Sequence, residues 1–139
     1  MTVSREDYPI SEKRPDLVRA LSGKPLGEIT LDAVVAGTIT MQDLAIHADA
    51  LRRQAEIARA ADRPTLAANF ERAADLVAVP QDLVMRAYEL LRPGRSSAKD
   101  DILAMAGTLR RDYGAERIAA FMEEAAAVYE QRGLFKSRY

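Results

Sequence analysis

Residues 49–77 read DALRRQAEIARAADRPTLAANFERAADLV and contain two amphipathic helical patterns with one break between them. Leu51, Ala55 and Ala58 recur at helical spacing, which places them on one face of the first helix. The break is Asp62-Arg63-Pro64. Proline is favoured in the first turn of a helix, because backbone N–H groups there have no partner within the helix and the missing N–H of proline costs no hydrogen bond. The second pattern carries Leu66, Phe70, Ala73, Ala74 and Val77. The stretch therefore predicts two consecutive helices.

Three further helices are predicted downstream. Pro80 opens the third helix, and Arg92-Pro93-Gly94 ends it, because proline cannot continue a helix. Ser97 is the predicted N-cap of the fourth, since a serine hydroxyl accepts a bond from a free backbone N–H. Gly114 ends the fourth helix, and the last spans about 116–132. The fold class predicted is all-α, with about five helices packed as a compact bundle.

The first 47 residues differ from the rest because proline and glycine interrupt them repeatedly. Only two short helical pieces fit, at about Pro15–Leu21 and at Leu31–Ala36, the latter with Thr30 as N-cap and Gly37 after its end. We therefore expect an irregular arm over residues 1–47, which packs on the body or on another chain. Residues 48–139 form the helical body, and the whole is one domain.

The composition predicts a thin core. The chain of 139 residues holds 25 alanines but only 8 aromatic residues. Alanine favours helices yet buries little apolar area, so apolar stripes are left for a partner to cover. Sixteen arginines accompany only 4 lysines, which is typical of interfaces or of a GC-rich genome.

Several classes of protein are excluded by the same counts. The chain has no cysteine, so disulfides, thiol catalysis and cysteine-based metal sites are absent. A net charge of −1 gives no reason to expect binding to nucleic acid or to an anionic membrane. Neither a membrane-spanning run nor a secretory leader is evident, so we expect a cytoplasmic protein.

A search for catalytic chemistry finds no convincing candidate. His47 is the only histidine and has neither a nucleophile motif nor enough companions for a zinc site. The 7 glycines form no phosphate-binding loop. The pairs Glu123-Glu124 and Asp100-Asp101 could act in acid–base chemistry, but such pairs are typical of solvated helix faces. We predict no catalytic, cofactor-binding or metal-binding residue in this chain.

Some polar residues are candidates for contacts with another subunit. Gln54 and Asn69 lie close to apolar stripes, where an amide must find a hydrogen-bond partner or reach water at an edge. The corner from Arg92 to Arg95 could place an arginine against a carboxylate of a neighbour, or be a plain capped turn.

Segments in a defined order resemble the small subunit of adenosylcobalamin-dependent diol dehydratase and glycerol dehydratase. The matching segments are Asp7–Pro9, Lys24–Leu26, Glu28–Leu31, Gln42-Asp43, Leu51–Ala58, Asn69–Leu76, Val79-Pro80, Tyr88–Ser96, Ala119–Phe121, Glu124–Ala126, and Tyr129 with Arg132. They cover nearly the whole chain, and their order and spacing carry the resemblance.

The resemblance implies a dimer of three-chain units with large, medium and small subunits. Such a complex is a lyase that converts propane-1,2-diol or glycerol to an aldehyde and water by a radical route. Adenosylcobalamin is held by the large and medium subunits, and the active site lies in the large one. The small subunit packs on the large subunit and supplies no known catalytic residue. On this basis we predict a subunit interface at Tyr8, Gln54, Asn69, Phe70, Arg72, Tyr88, Arg92 and Arg95.

Two departures from the family pattern lead to further expectations. Only six residues precede Asp7, whereas diol-type members often carry a long extension there. This favours the glycerol type and gives no sign of targeting to a microcompartment. His47-Ala48 occupies the place where a Thr or Ser cap is common, so we expect Asp49 to cap the first long helix.

Two other functions fit some of these observations. A free-standing helical adaptor that binds another protein explains the alanine-rich stripes but not the ordered segments. A helix-turn-helix DNA-binding protein is disfavoured, because no helix carries a clear basic face.

Overall fold

The computed structural model describes residues 2–96 and 98–135, and over these residues it confirms the all-α prediction, with no β-strand. The α-helices are α1 (Ile10–Lys13), α2 (Leu31–Val35), α3 (Ala48–Ala60), α4 (Pro64–Leu76), α5 (Gln81–Leu91), α6 (Lys99–Tyr113) and α7 (Glu116–Gln131). Short 3₁₀ turns lie at Arg5–Asp7, Pro15–Leu17 and Leu26–Glu28. The predicted cap residue Ser97 lies outside the described residues. The chain divides into two compact units, within Met1–Val77 and within Ala78–Tyr139.

The first unit is built on the packing of α3 against α4. Ala55, Ala58 and Ala67 are buried between the two helices, and Phe70 packs against them. Because alanine side chains are small, the two helices can approach closely, and the contact is tight but buries little apolar area per residue. The predicted pair of consecutive helices is therefore confirmed.

The turn between α3 and α4 depends on Asp62, whose φ of 57° lies in the left-handed region. The N–H of Arg63 then reaches back to the carbonyl of Ala58 at 2.9 Å and satisfies one free carbonyl at the end of α3. Pro64 occupies the first turn of α4, as predicted.

The prediction that Asp49 caps α3 is wrong. His47 is the N-cap, and its Nδ1 accepts a hydrogen bond from the N–H of Asp49 at 3.1 Å. Asp49 lies inside the first turn, where its carboxylate accepts a bond from Arg52 at 2.9 Å. An imidazole nitrogen thus takes the place of a hydroxyl oxygen as the cap acceptor.

Part of the N-terminal segment packs on α3. Val3 and Ile10 are buried against Ile57, with Leu17 and Val18 beside them. The N–H of Val3 also donates to Oε2 of Glu56 at 2.9 Å, so the carboxylate of Glu56 holds the start of the chain on α3.

The two predicted helical pieces of this segment have different outcomes. The piece expected over Pro15–Leu21 is only the 3₁₀ turn Pro15–Leu17, because the N–H of Ala20 instead donates across a loop to the carbonyl of Lys24 at 2.9 Å. The second piece is α2, and Thr30 Oγ1 caps it by accepting a bond from the N–H of Ala33 at 3.2 Å, as predicted.

The second unit is built on the packing of α6 against α7. Ile102, Leu109 and Met122 are its largest fully buried side chains, and small residues complete the core at Ala106, Ala115, Ala119 and Ala126. Gly114 ends α6 in the left-handed conformation with φ of 62°, as predicted from its position.

Polar contacts connect the helices of this unit. The guanidinium of Arg110 on α6 donates to Glu123 on α7 at 2.5 and 3.0 Å and to Glu116 at 2.8 Å. The hydroxyl of Tyr129 on α7 donates to the carbonyl of Leu91 at the end of α5 at 2.5 Å. The Tyr129 bond satisfies a free carbonyl at the end of α5, which would otherwise need water, whereas Arg110 joins α6 to α7 through side chains alone.

Candidate subunit interface

The side chains considered above as candidates for chemistry have structural contacts in the part of the chain that the structure describes. No group of three or more His, Asp or Glu side chains in residues 2–96 and 98–135 is placed to hold a metal ion. His47 uses Nδ1 to cap α3. Glu123 is held by Arg110, which lowers the pKa of that carboxyl and keeps it charged. The carboxylates of Asp100 and Asp101 are exposed in the first turn of α6, where they favour the positive end of the helix dipole.

Three of the predicted interface residues converge in the first unit. Tyr8, Gln54 and Phe70 line one groove of about 430 Å³, which lies over the packed pair α3 and α4. The surface of the groove is largely apolar. Its other lining residues were not predicted from the sequence; they are Arg5, Ile57, Ala58, Ala61, Arg63 and Leu66. An open groove of this size accommodates side chains of a partner.

The groove is basic at its edge. Arg5 and Arg63 line it, and neither guanidinium is ion-paired among the residues that the structure describes. The hydroxyl of Tyr8 lies on a side chain that is more than half exposed. A partner segment with an apolar side chain and a carboxylate would complement this surface.

Asn69 and Arg72 lie on α4 but not in the groove. The Arg72 guanidinium donates a short hydrogen bond to the Asn69 amide oxygen. Asn69 is exposed, so its amide reaches water and does not need a buried partner. The structure therefore separates these two residues from Tyr8, Gln54 and Phe70, while their contact with another subunit stays a prediction.

The remaining predicted residues lie in the second unit. Arg92 caps the end of α5, and its guanidinium donates to Glu89 at 3.0 Å. Arg95 lines a shallow concave surface together with Met85, Arg86, Glu89 and Leu90. Tyr88 on α5 is 56% exposed, so its ring is accessible to a partner.

A buried carboxylate that the sequence prediction did not assign a role organises the N-terminal segment. Asp43 is 3% exposed and accepts hydrogen bonds from the Ser22 hydroxyl, from Lys24 Nζ at 2.9 Å, and from the N–H of Thr40 at 2.8 Å. The bond from Ser22 is the main cause that holds the pKa of the Asp43 carboxyl far below its usual range, followed by those from Thr40 and Lys24. We call these four residues the Asp43 clamp.

The chain is similar in sequence to known proteins of one family. The family model described as dehydratase small subunit matches residues 3–136 of the chain. The chain belongs to this family. Its members include the propanediol dehydratase small subunit of Citrobacter freundii, which is 45% identical over 135 residues, covering 97% of this chain and 78% of the relative. The propanediol dehydratase small subunit of Salmonella typhimurium is 45% identical over 130 residues, covering 94% and 75%.

Membership of the dehydratase small subunit family confirms the resemblance found in the ordered segments. A small subunit implies partner subunits, so the chain is a component of a multi-subunit dehydratase. Across residues 2–96 and 98–135, no helix combines the length and hydropathy that a membrane crossing requires.

Proposed function

We propose that this chain is the non-catalytic small subunit of a coenzyme-B12-dependent dehydratase that converts propane-1,2-diol or glycerol to an aldehyde. Its role is to pack on the large subunit and stabilise it, in a cytoplasmic bacterial complex of large, medium and small chains, two of each. The observation that carries the proposal is 45% identity to propanediol dehydratase small subunits over almost the entire chain. Both relatives are named as propanediol dehydratase small subunits, which favours propane-1,2-diol over glycerol as the substrate.

Adenosylcobalamin belongs, in this proposal, to the large and medium subunits. His47 uses Nδ1 to cap α3, and the described residues contain no group of three or more His, Asp or Glu side chains placed to hold a metal ion. The resemblance assigns the cofactor to the partners, so the contribution of this chain is structural.

Two surfaces support a role in assembly. In the first unit, Tyr8, Gln54 and Phe70 line a groove bordered by Arg5 and Arg63, neither of which has an ion pair within the part of the chain that the structure describes. In the second unit, Tyr88 is exposed, and Arg95 lies on a concave surface. Arginine and tyrosine are enriched among residues that dominate binding energy at interfaces. These residues, together with Asn69, Arg72 and Arg92, form our proposed contact set.

Co-expression with the large and medium subunits of a propanediol dehydratase tests the proposal. We expect the chain to co-purify with the large subunit, and the complex that lacks it to lose activity on heating sooner than the complete complex. A complex that assembles and dehydrates propane-1,2-diol equally well without the chain, with the same thermal inactivation, would contradict the proposal.

Point variants test the contact set within that complex. Gln54→Ala and Arg95→Ala are expected to weaken association with the large subunit by about tenfold each, with little change in KM for the diol. Gln131→Ala and Arg111→Ala are matched controls, because both are exposed and lie outside the contact set. A change in KM without a change in association would count against an interface role.

A further inference from the structure

Positive charge in this chain is carried mostly by arginine. Of the 20 lysine and arginine residues, only 4 are lysines, at positions 13, 24, 99 and 136. A lysine amine that has lost its proton is a nucleophile and forms an imine with a carbonyl compound. A guanidinium stays protonated in proteins and has no free lone pair for this reaction. The chain therefore offers few side chains that a simple aldehyde can modify.

The activity proposed above releases such an aldehyde, because loss of water from propane-1,2-diol gives propanal. Its reaction with lysine needs neither an oxidant nor a reductant. The lysine Nζ gives up a proton, its lone pair attacks the carbonyl carbon, and the resulting carbinolamine loses one water to form the C=N bond. How readily each lysine reacts then depends on the contacts that its ammonium group must leave.

Lys24 is held on two sides. Its Nζ donates to Oδ2 of Asp43 at 2.9 Å and to the carbonyl of Thr38 at 2.7 Å. Asp43 is 3% exposed, and an ion pair with a buried partner is screened less by solvent than an exposed one. Before Nζ can attack a carbonyl, it must give up a proton and leave both oxygens, and hydrogen bonds to charged groups are the strong ones in proteins. An adduct on Lys24 would also take a donor from Asp43 and open the Asp43 clamp.

Lys99 is held by one bond at the surface. Its Nζ donates to Oε2 of Glu130 at 2.6 Å, which joins the start of α6 to α7. The Glu130 side chain is 60% exposed, and ion pairs between exposed groups contribute little. The side chains of Lys99 and Lys24 are 33% and 34% exposed, so their bonding distinguishes them and their accessibility does not.

Lys13 has no such contact. It is the last residue of α1 and is exposed. Its Nζ has neither an ion pair nor a hydrogen bond with any other residue of 2–96 and 98–135. Within this part of the fold, no bond has to be broken before the Lys13 amine reacts.

We propose that, among the described residues, Lys13 is the site at which the aldehyde product modifies this chain. The bonds to Asp43 and Thr38 protect Lys24. The bond to Glu130 protects Lys99 to a lesser degree. The inference rests on the proposed function for the source of the aldehyde. The clamp thereby preserves the lysine on which it depends, and arginine supplies the remaining positive charge in a form that propanal leaves unmodified.

The test incubates the full-length chain with propanal and cyanoborohydride, which reduces each imine to a stable secondary amine. Peptide mass mapping then follows each lysine separately. Relative to Lys13, we expect Lys99 to react about threefold more slowly and Lys24 by about tenfold or more. In guanidinium chloride, which unfolds the chain, the three rates are expected to converge. Lys136 and the amino group of Met1 lie outside the described residues and are scored apart from this comparison.

Variants of the two carboxylates test the cause of the protection. Asp43→Asn keeps the shape of the side chain but removes its charge, so it is expected to raise the rate at Lys24 by about fivefold. Glu130→Gln is expected to raise the rate at Lys99 by about threefold. The rate at Lys13 is the internal control and should change in neither variant. Circular dichroism checks folding, and the exposed pair at Glu130 keeps the test informative if Asp43→Asn does not fold.

The outcomes separate the inference from the proposed function. Equal rates at the three lysines of the folded chain would overturn the inference, as would rates that do not respond to the two variants. Neither result touches the proposed function, because the reaction is measured on the chain alone with added propanal. Failure of the co-expression experiment would overturn the proposed function, and with it the source of the aldehyde, while the measured order of the rates would stand.

Discussion

Lys24 Nζ lies 2.9 Å from Oδ2 of Asp43, a contact that joins two positions nineteen residues apart in a segment with little regular structure. The pair is supported by Ser22 and Thr40, which donate to the same carboxylate. Because the Asp43 carboxylate is buried, loss of its donors would leave a charge without compensation, which costs more than the pair itself contributes.

Asp43→Ala is expected to lower the melting temperature by several degrees, because Ser22, Lys24 and the N–H of Thr40 lose their common acceptor. Thermal denaturation followed by circular dichroism measures the effect. Asp32→Ala, at an exposed carboxylate of the same segment, is the control and is expected to change the melting temperature much less. Equal effects of the two changes would contradict the role of the clamp.

The clamp also predicts a pH dependence. The pKa of Asp43 is lower in the folded state than the 3.8 of an unperturbed aspartate, so the unfolded state binds more protons as pH falls. The stability that Asp43 contributes is therefore complete above about pH 5 and is lost progressively as pH falls below the unfolded pKa. Urea denaturation between pH 7 and pH 2.5 should show a smaller loss of stability in Asp43→Asn than in the unaltered chain. Parallel losses would contradict the assignment.

Asp62 gives a test of backbone conformation. A β-branched residue is strongly disfavoured at a φ of 57°, so Asp62→Val is expected to reduce the free energy of unfolding by about 1–2 kcal/mol. Asp62→Gly is expected to cause no such loss, because glycine adopts this conformation readily. Urea denaturation of both variants makes the comparison, and a glycine variant as unstable as the valine variant would refute the explanation.

The contact between α6 and α7 leaves no room for larger side chains. Ala119 has no exposed surface, so Ala119→Leu is expected to cost about 1–3 kcal/mol through overpacking. Ala120→Leu is the matched control, since the neighbouring residue on α7 is exposed. If both leucine variants unfold at the same urea concentration, the small size of Ala119 is not needed for packing.

Tyr129→Phe removes the hydroxyl that donates to the carbonyl of Leu91 at 2.5 Å and keeps the ring. We expect a loss of about 1 kcal/mol, typical of one intramolecular hydrogen bond. Hydrogen exchange of the last turn of α5 should increase in the same variant. Unchanged exchange there would show that the bond does not fix the end of the helix.

The sequence predicted the elements whose signals are local. Pro64 and Gly114 mark helix boundaries through their own backbone chemistry, and the structure has both where expected. The prediction of the α3 cap was wrong because histidine rarely serves as an N-cap, although its Nδ1 can accept a hydrogen bond.

The candidate interface was only partly predictable for a related reason. Gln54 stood out as an amide beside apolar residues, and it does line a groove. The Asp43 clamp joins residues about twenty positions apart in the sequence, and their spacing follows no helical or strand periodicity, so no local pattern predicts it. Exposure of Leu31 and Met41 is likewise a tertiary property, because an apolar residue in an irregular segment looks the same whether it is covered or not.

The small side chains at the helix contacts also bear on how stability varies with temperature. Alanine loses no rotamer freedom when it is buried, so contacts such as those of Ala55 with Ala67 and the packing around Ala106 and Ala119 are formed at low entropic cost. They also remove little apolar area from water, and the heat-capacity change of unfolding follows that area. We therefore expect calorimetry to find a small heat-capacity change per residue and a stability curve that is flat around its maximum. A subunit of this kind keeps nearly the same modest stability over a wide range of growth temperatures, and gains the rest from its neighbours.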